Sequence, residues 1–133
     1  MAIRNDITTD FFRGEDKVLG FTIIGSGTIA GWTLRFIITA TEKGLTAGST
    51  EAVLYEANEA NGKLKVIDAA ARKVDVTIPA AVTDWSGDWK PKPATPYFHS
   101  LKRTDTDAET VLEWGTLTFT AANQVAEPAA AKT

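Results

Sequence analysis

Two stretches decide the fold: Lys17-Val18-Leu19-Gly20-Phe21-Thr22-Ile23 and Lys73-Val74-Asp75-Val76-Thr77-Ile78-Pro79. In the first, Leu19, Phe21 and Ile23 fall on one side of an extended chain and Val18, Gly20 and Thr22 on the other. In the second, Val74, Val76 and Ile78 alternate with Lys73, Asp75 and Thr77. Alternation with a period of two marks a strand that turns one face to a core and the other away from it. Pro79 ends the second run, because proline has no N–H to give to a ladder.

The same signal recurs outward from these two runs. Trp32, Leu34, Phe36 and Ile38 alternate with Thr33, Arg35, Ile37 and Thr39. Gly25-Ser26-Gly27 and Gly31 punctuate the gap before them, which reads as a hairpin turn leading to a strand antiparallel to the first. Tyr97, His99 and Leu101 alternate with Phe98, Ser100 and Lys102, and Thr110 to Thr120 is rich in β-branched and aromatic residues. These two runs are expected to pair as a hairpin across Thr104 to Glu109, with a bulge at Trp114-Gly115. Weaker strands are expected at Ile7 to Phe12, Glu51 to Tyr55 and Leu64 to Ile67, with the turn dipeptide Asn61-Gly62 between the last two. Ala69 to Arg72 and Ala80 to Asp84 are each long enough only for a helical turn.

Seven or eight short strands without βαβ alternation predict an all-β antiparallel sandwich and argue against a parallel nucleotide-binding sheet. At 133 residues with 44% hydrophobic content, the chain fits one domain with an ordinary core. That domain is expected over residues 1–120. Residues 121–133, AANQVAEPAAAKT, form a low-complexity tail with too little apolar bulk to hold itself down, so a neighbouring subunit or a partner protein is expected to order it.

Composition excludes several kinds of chemistry. The absence of cysteine removes a disulfide framework, a thiolate zinc site and a cysteine nucleophile. A net charge of −3 is wrong for nucleic acid, which needs clustered Lys and Arg. No run of 18 apolar residues occurs and the N-terminus lacks a signal-peptide core, so a soluble product made in the cytoplasm is expected. His99 is the only histidine and sits mid-strand on the apolar side. It reads as a core residue rather than as the base of a serine triad, and no Gly-x-Ser-x-Gly elbow accompanies it. Asp10 with Glu15 and Asp16, and Asp84 with Asp88, are the carboxylate pairs a glycosidase would need. Solvated turns explain both sets, and their spacing matches no EF-hand. No catalytic, cofactor-binding or metal-binding residue is therefore assigned.

The segment between Pro79 and Pro96 is the most informative loop, since loops this long are more often functional than accidental. It carries Trp85, Trp89, Lys90 and Lys92, stiffened by Pro91 and Pro93. These four residues are the expected partner-binding set: indoles anchor in protein pockets or stack on sugar rings, and the lysines give a cationic edge. The competing reading has the indoles plugging an open end of the sandwich.

In order and spacing, the chain resembles the Ig-like structural proteins of tailed bacteriophages, related to the N-terminal domain of baseplate upper proteins. The resemblance covers most of the chain. It rests on Phe12-Arg13-Gly14-Glu15-Asp16 before the first long strand, Ile29 to Phe36, Lys73 to Pro79 followed by Ala80 to Thr83, and the closing pair Tyr97 to Asp105 and Val111 to Phe119. His99 departs from a position where that family often has an aromatic, and the loop from Val82 to Pro96 is longer than usual. The resemblance implies an Ig-like fold and a non-catalytic virion component of the tail, neck or baseplate, or a head decoration. Its partners would be other virion proteins and copies of itself. The alternative is a carbohydrate-binding or host-adhesion sandwich that uses Trp85 and Trp89.

Overall fold

A computed structural model of the chain describes residues 3–10, 16–42, 53–78, 95–105 and 109–120. Among them are nine strands: β1 (Ile3–Arg4), β2 (Ile7–Asp10), β3 (Lys17–Thr22), β4 (Leu34–Thr39), β5 (Val53–Asn58), β6 (Leu64–Asp68), β7 (Lys73–Ile78), β8 (Pro96–Arg103) and β9 (Thr110–Thr120). No α-helix occurs among the described residues.

The strands make two sheets. In the large sheet β9, β8, β4 and β5 are neighbours in that order, and β1 and β2 both run parallel to β9 along its other edge. The small sheet has the order β3, β7, β6, all antiparallel. Alternate residues of both sheets point into one shared core. Leu34, Phe36, Ile38, Leu101, Leu117 and Phe119 come from the large sheet, and Leu19, Phe21, Leu64, Val74, Val76 and Ile78 from the small one. Burial of each such side chain stabilises the fold by about 1.5–3 kcal/mol, which makes this interleaved layer the main source of stability. Tyr55 ties the layers together at one margin, its hydroxyl donating to the Thr77 carbonyl at 2.6 Å. Burial, with a smaller push from Asp16, raises that phenol to about 12, so it stays a donor.

The two deciding stretches are strands, as the alternation predicts, and they are direct partners: Leu19 faces Val76 and Phe21 faces Val74. The closing hairpin also forms, with Tyr97 opposite Leu117 and Leu101 opposite Glu113. Its irregularity lies between Leu101 and Lys102, where Leu112 is the extra residue, and not at the expected Trp114-Gly115.

Two expected connections are different in the structure. Residues 23–33 do not make a hairpin, because β3 belongs to the small sheet and β4 to the large one. Gly25, Gly27 and Gly31, all at positive φ, bend a connection that crosses the sandwich. A segment this long can span two layers, whereas a tight hairpin uses two to five residues. Asn61-Gly62 likewise turns the chain from β5 in one sheet to β6 in the other. Asn61 organises that turn: its side-chain oxygen accepts from the Asn58 and Lys63 amides. Ala69 to Arg72 is the β6–β7 hairpin turn and not a helical one, with Arg72 itself left-handed at φ 63°. The second weak strand is described from Val53 and runs past its expected end at Tyr55 to Asn58; Glu51 lies outside the described residues. Trp32 precedes β4 and is not part of it.

Candidate functional site

The expected partner-binding residues Trp85, Trp89, Lys90 and Lys92 lie outside the described residues, as do Glu15, Asp84, Asp88 and the 121–133 tail. Among the described residues, no group of three or more His, Asp and Glu side chains could hold a metal ion. What the structure does define are three constructions that fix the ends and edges of the sandwich.

The first holds the N-terminal strands. His99 is buried against Phe21 and Phe36, its ring 5.8 Å from Phe36 and nearly parallel to it. Its Nε2 lies 2.7 Å from the Asn5 carbonyl, which can only accept, so Nε2 carries the proton. The bond is possible because Gly115 stands opposite His99 in the ladder and has no side chain. A Cβ there would overlap the Asn5 carbonyl group and come within 2.9 Å of Asp6 Oδ1. Around this gap Asn5 N donates to the Trp114 carbonyl at 2.7 Å, Asn5 Nδ2 donates to Glu113 at 2.8 Å, and Thr116 N donates to Asp6 at 3.0 Å. The Thr116 amide and then Arg4 lower the Asp6 carboxyl from its usual range. Burial lowers His99 and raises Glu113, so the strands are latched by one neutral imidazole and one reluctant carboxylate. The sequence marks His99 as core, a reading the structure bears out. Nothing in its local pattern pairs it with Asn5, more than ninety positions earlier.

The second construction closes one end. Arg72 is buried and inserts its guanidinium into the crossing loop, where Nε donates to Ile23 O at 2.8 Å and Nη1 to Ser26 O and Gly27 O at 3.0 and 2.9 Å. Nη2 donates to Ile24 O at 3.2 Å. Gly25 must be glycine here, for a Cβ would sit 2.6 Å from Arg72 Nη2. Two guanidinium groups lie over the Trp32 ring, Arg103 at 4.0 Å and Arg72 at 5.2 Å from its centroid. Asp105 completes the end, bonding Arg103 at 2.8 Å and accepting the Thr33 amide at 3.0 Å. Arg103 and then that amide hold its carboxyl down at about 2. The arrangement orders the crossing loop with two guanidinium groups and one carboxylate.

The third feature is an ion-pair set on the large sheet, away from the core. Arg35 meets Glu56 at 3.0 Å and Glu109 at 3.4 Å, and the buried Lys102 meets Glu109 at 3.3 Å. Burial pulls the Arg35 guanidinium down, but its two carboxylates outweigh this and raise it. The carboxylate partner spares the buried lysine the larger cost of an unpaired buried charge. Against these filled regions, the exposed apolar residues Val18, Ile24, Val53 and Ile67 are the described surface that a protein neighbour could cover. No protein-family model matches the chain, and no curated protein matches it.

Proposed function

We propose that this chain is a virion structural protein of a tailed bacteriophage, a non-catalytic Ig-like module that packs onto other particle proteins in the tail, neck or baseplate, or on the head. The observation that carries the reading is the strand order. The small sheet β3-β7-β6 corresponds to strands B, E and D of an immunoglobulin sandwich. The run β9-β8-β4-β5 corresponds to G, F, C and C′, the larger sheet of the variable type. A strand order of this kind supports the Ig-like fold that the resemblance to phage Ig-like proteins implies, and the correspondence runs over β3 to β9. Three of the polar groups with perturbed protonation, His99, Glu113 and Asp105, are engaged in holding chain segments together, which suits a structural role. Other virion proteins and copies of itself are the partners in this reading.

The test is rebinding of the purified chain to tailed-phage particles stripped of it, measured by co-sedimentation. Saturation at a fixed, symmetric number of copies is the expected result. A chain that ignores the particles and binds glycans through Trp85 and Trp89 would replace the proposal with the adhesion reading.

A further inference from the structure

β3 differs from every other sheet edge among the described residues. The β6 edge carries an irregularity at Val66/Asp68, and the β5 edge one opposite Ile38/Thr39. The edge formed by β1 and β2 is interrupted at Asn5 and Asp6. Such breaks are how native sheets discourage further pairing. β3 has none: six consecutive residues pair with β7 in unbroken register, Lys17 with Ile78 through to Thr22 with Lys73.

The direction of its free groups follows from two bonds. Ile23 N donates to Arg72 O at 2.9 Å, which continues the β3–β7 register. In an antiparallel ladder the bonded pairs recur every second residue, so Phe21, Leu19 and Lys17 bond β7. Thr77 N donates to Lys63 O at 2.8 Å, so the intervening residues of β7 are bonded to β6, in agreement. The N–H and C=O groups of Val18, Gly20 and Thr22 therefore point outward from the small sheet.

We propose that this edge pairs with β3 of a second copy of the chain, antiparallel across a two-fold axis at Gly20, joining two small sheets into one of six strands. Gly20 would face Gly20 of the other copy and Val18 would face Thr22, and each facing pair exchanges two hydrogen bonds. All six outward groups on each copy are then used, because the three outward residues are centred on Gly20. The pairing extends the core as well, since Leu19 and Phe21, already buried, fall opposite one another across the axis. Val18, 51% exposed, gains a cross-strand neighbour. An isologous contact of this kind needs one surface patch that complements itself. A glycine inside a regular strand weakens it and commonly marks the close approach of another backbone. The two Asp75 carboxylates, one strand inward, stay roughly 14 Å apart at the usual strand spacing, beyond the reach of strong repulsion at physiological salt.

The inference deepens the assembly reading, in which copies of the chain are partners, and takes its biological setting from it. An edge contact buries little area, so a weak, concentration-dependent dimer is expected, strengthened where a particle holds many copies. Sedimentation equilibrium of the full chain up to about 1 mM, within the range of weak contacts, is expected to show a dimer. Gly20→Pro removes the central outward N–H, which bonds no group among the described residues, and is expected to weaken dimerisation at least about tenfold with an unchanged circular dichroism spectrum. Gly20→Cys, in a chain with no cysteine of its own, is expected to give covalent dimers on mild oxidation; its Cβ would meet only Asp75, at an ordinary 3.6 Å. A wild-type monomer throughout, or a Gly20→Pro chain that dimerises as well as wild type, would overturn the inference. A monomer that still rebinds particles would overturn it while leaving the assembly reading standing. A dimer that ignores particles would do the reverse.

Discussion

The large sheet and the small sheet bury their residues by different rules. In β4 and β8 burial runs through both faces: Phe36 and Leu101 lie in the core, while Ile37, Thr39, Ser100 and Lys102 are buried on the opposite side. In β3 and β7 only alternate residues are buried, and Val18, Gly20, Thr22 and Lys73 remain exposed. The same contrast separates two glycines. Gly115 in the large sheet makes room for the Asn5 backbone, and Gly20 in the small sheet has only the Asp75 carboxylate near its open side. Among the described residues, Gly115 is closed over by its own chain, and Gly20 lies on an edge strand in unbroken register.

Gly115→Ala gives the largest effect expected of that contrast. A methyl group there displaces Asn5 and breaks the bonds to His99, Glu113 and Trp114, a loss of about 3 kcal/mol measured by urea unfolding. Gly115 should also be the less tolerant glycine by a wide margin. Arg72→Ala comes next: it orphans the carbonyls of Ile23, Ile24, Ser26 and Gly27 and is expected to destabilise by about 2 kcal/mol, with faster amide exchange confined first to residues 23–33.

The latch also sets a pH dependence. His99 has a folded-state value below its unfolded one near 6.5, so the unfolded chain takes up the proton first. Its contribution is complete above that unfolded value and is lost as pH falls through the folded one, at no more than about 1.4 kcal/mol per pH unit. Glu113 has the opposite sign, because its folded value lies above the ordinary 4.5. Its buried charge costs stability at neutral pH, and that cost disappears as it protonates in acid. Unfolding curves are therefore expected to fall below about pH 6.5 and to fall more steeply in Glu113→Gln, which removes the compensating group. The smallest effect belongs to the open sheet: Gly20→Ala should change stability by no more than about 0.5 kcal/mol, since no neighbour must move.

How much of this could be read from the sequence follows the same division. Where one face is buried, as in β3 and β7, the pattern has period two and both strands and their faces are legible. The closing hairpin was legible as well, because β8 and β9 are adjacent in sequence and rich in strand-forming residues. The route between sheets was not. Glycines at positive φ serve a tight hairpin and a long crossing equally well, and only the Arg72 guanidinium, supplied from another turn, distinguishes the two. Asn5 and Gly115 were illegible as a pair for the same reason: each is ordinary locally, and their relation exists only when β1 and β2 lie along β9. Trp85, Trp89, Lys90 and Lys92 rest on sequence alone.

Amide hydrogen exchange on the free chain and on the assembled form tests the contrast most directly. The expected result is slow exchange at Asn5, Leu117 and Phe119 in both forms, with Val18, Gly20 and Thr22 exchanging quickly in the free chain and becoming protected on assembly. Protection of Val18, Gly20 and Thr22 already in the free monomer, or fast exchange there in the assembled form, would contradict a sandwich sealed at its first strands and open at β3.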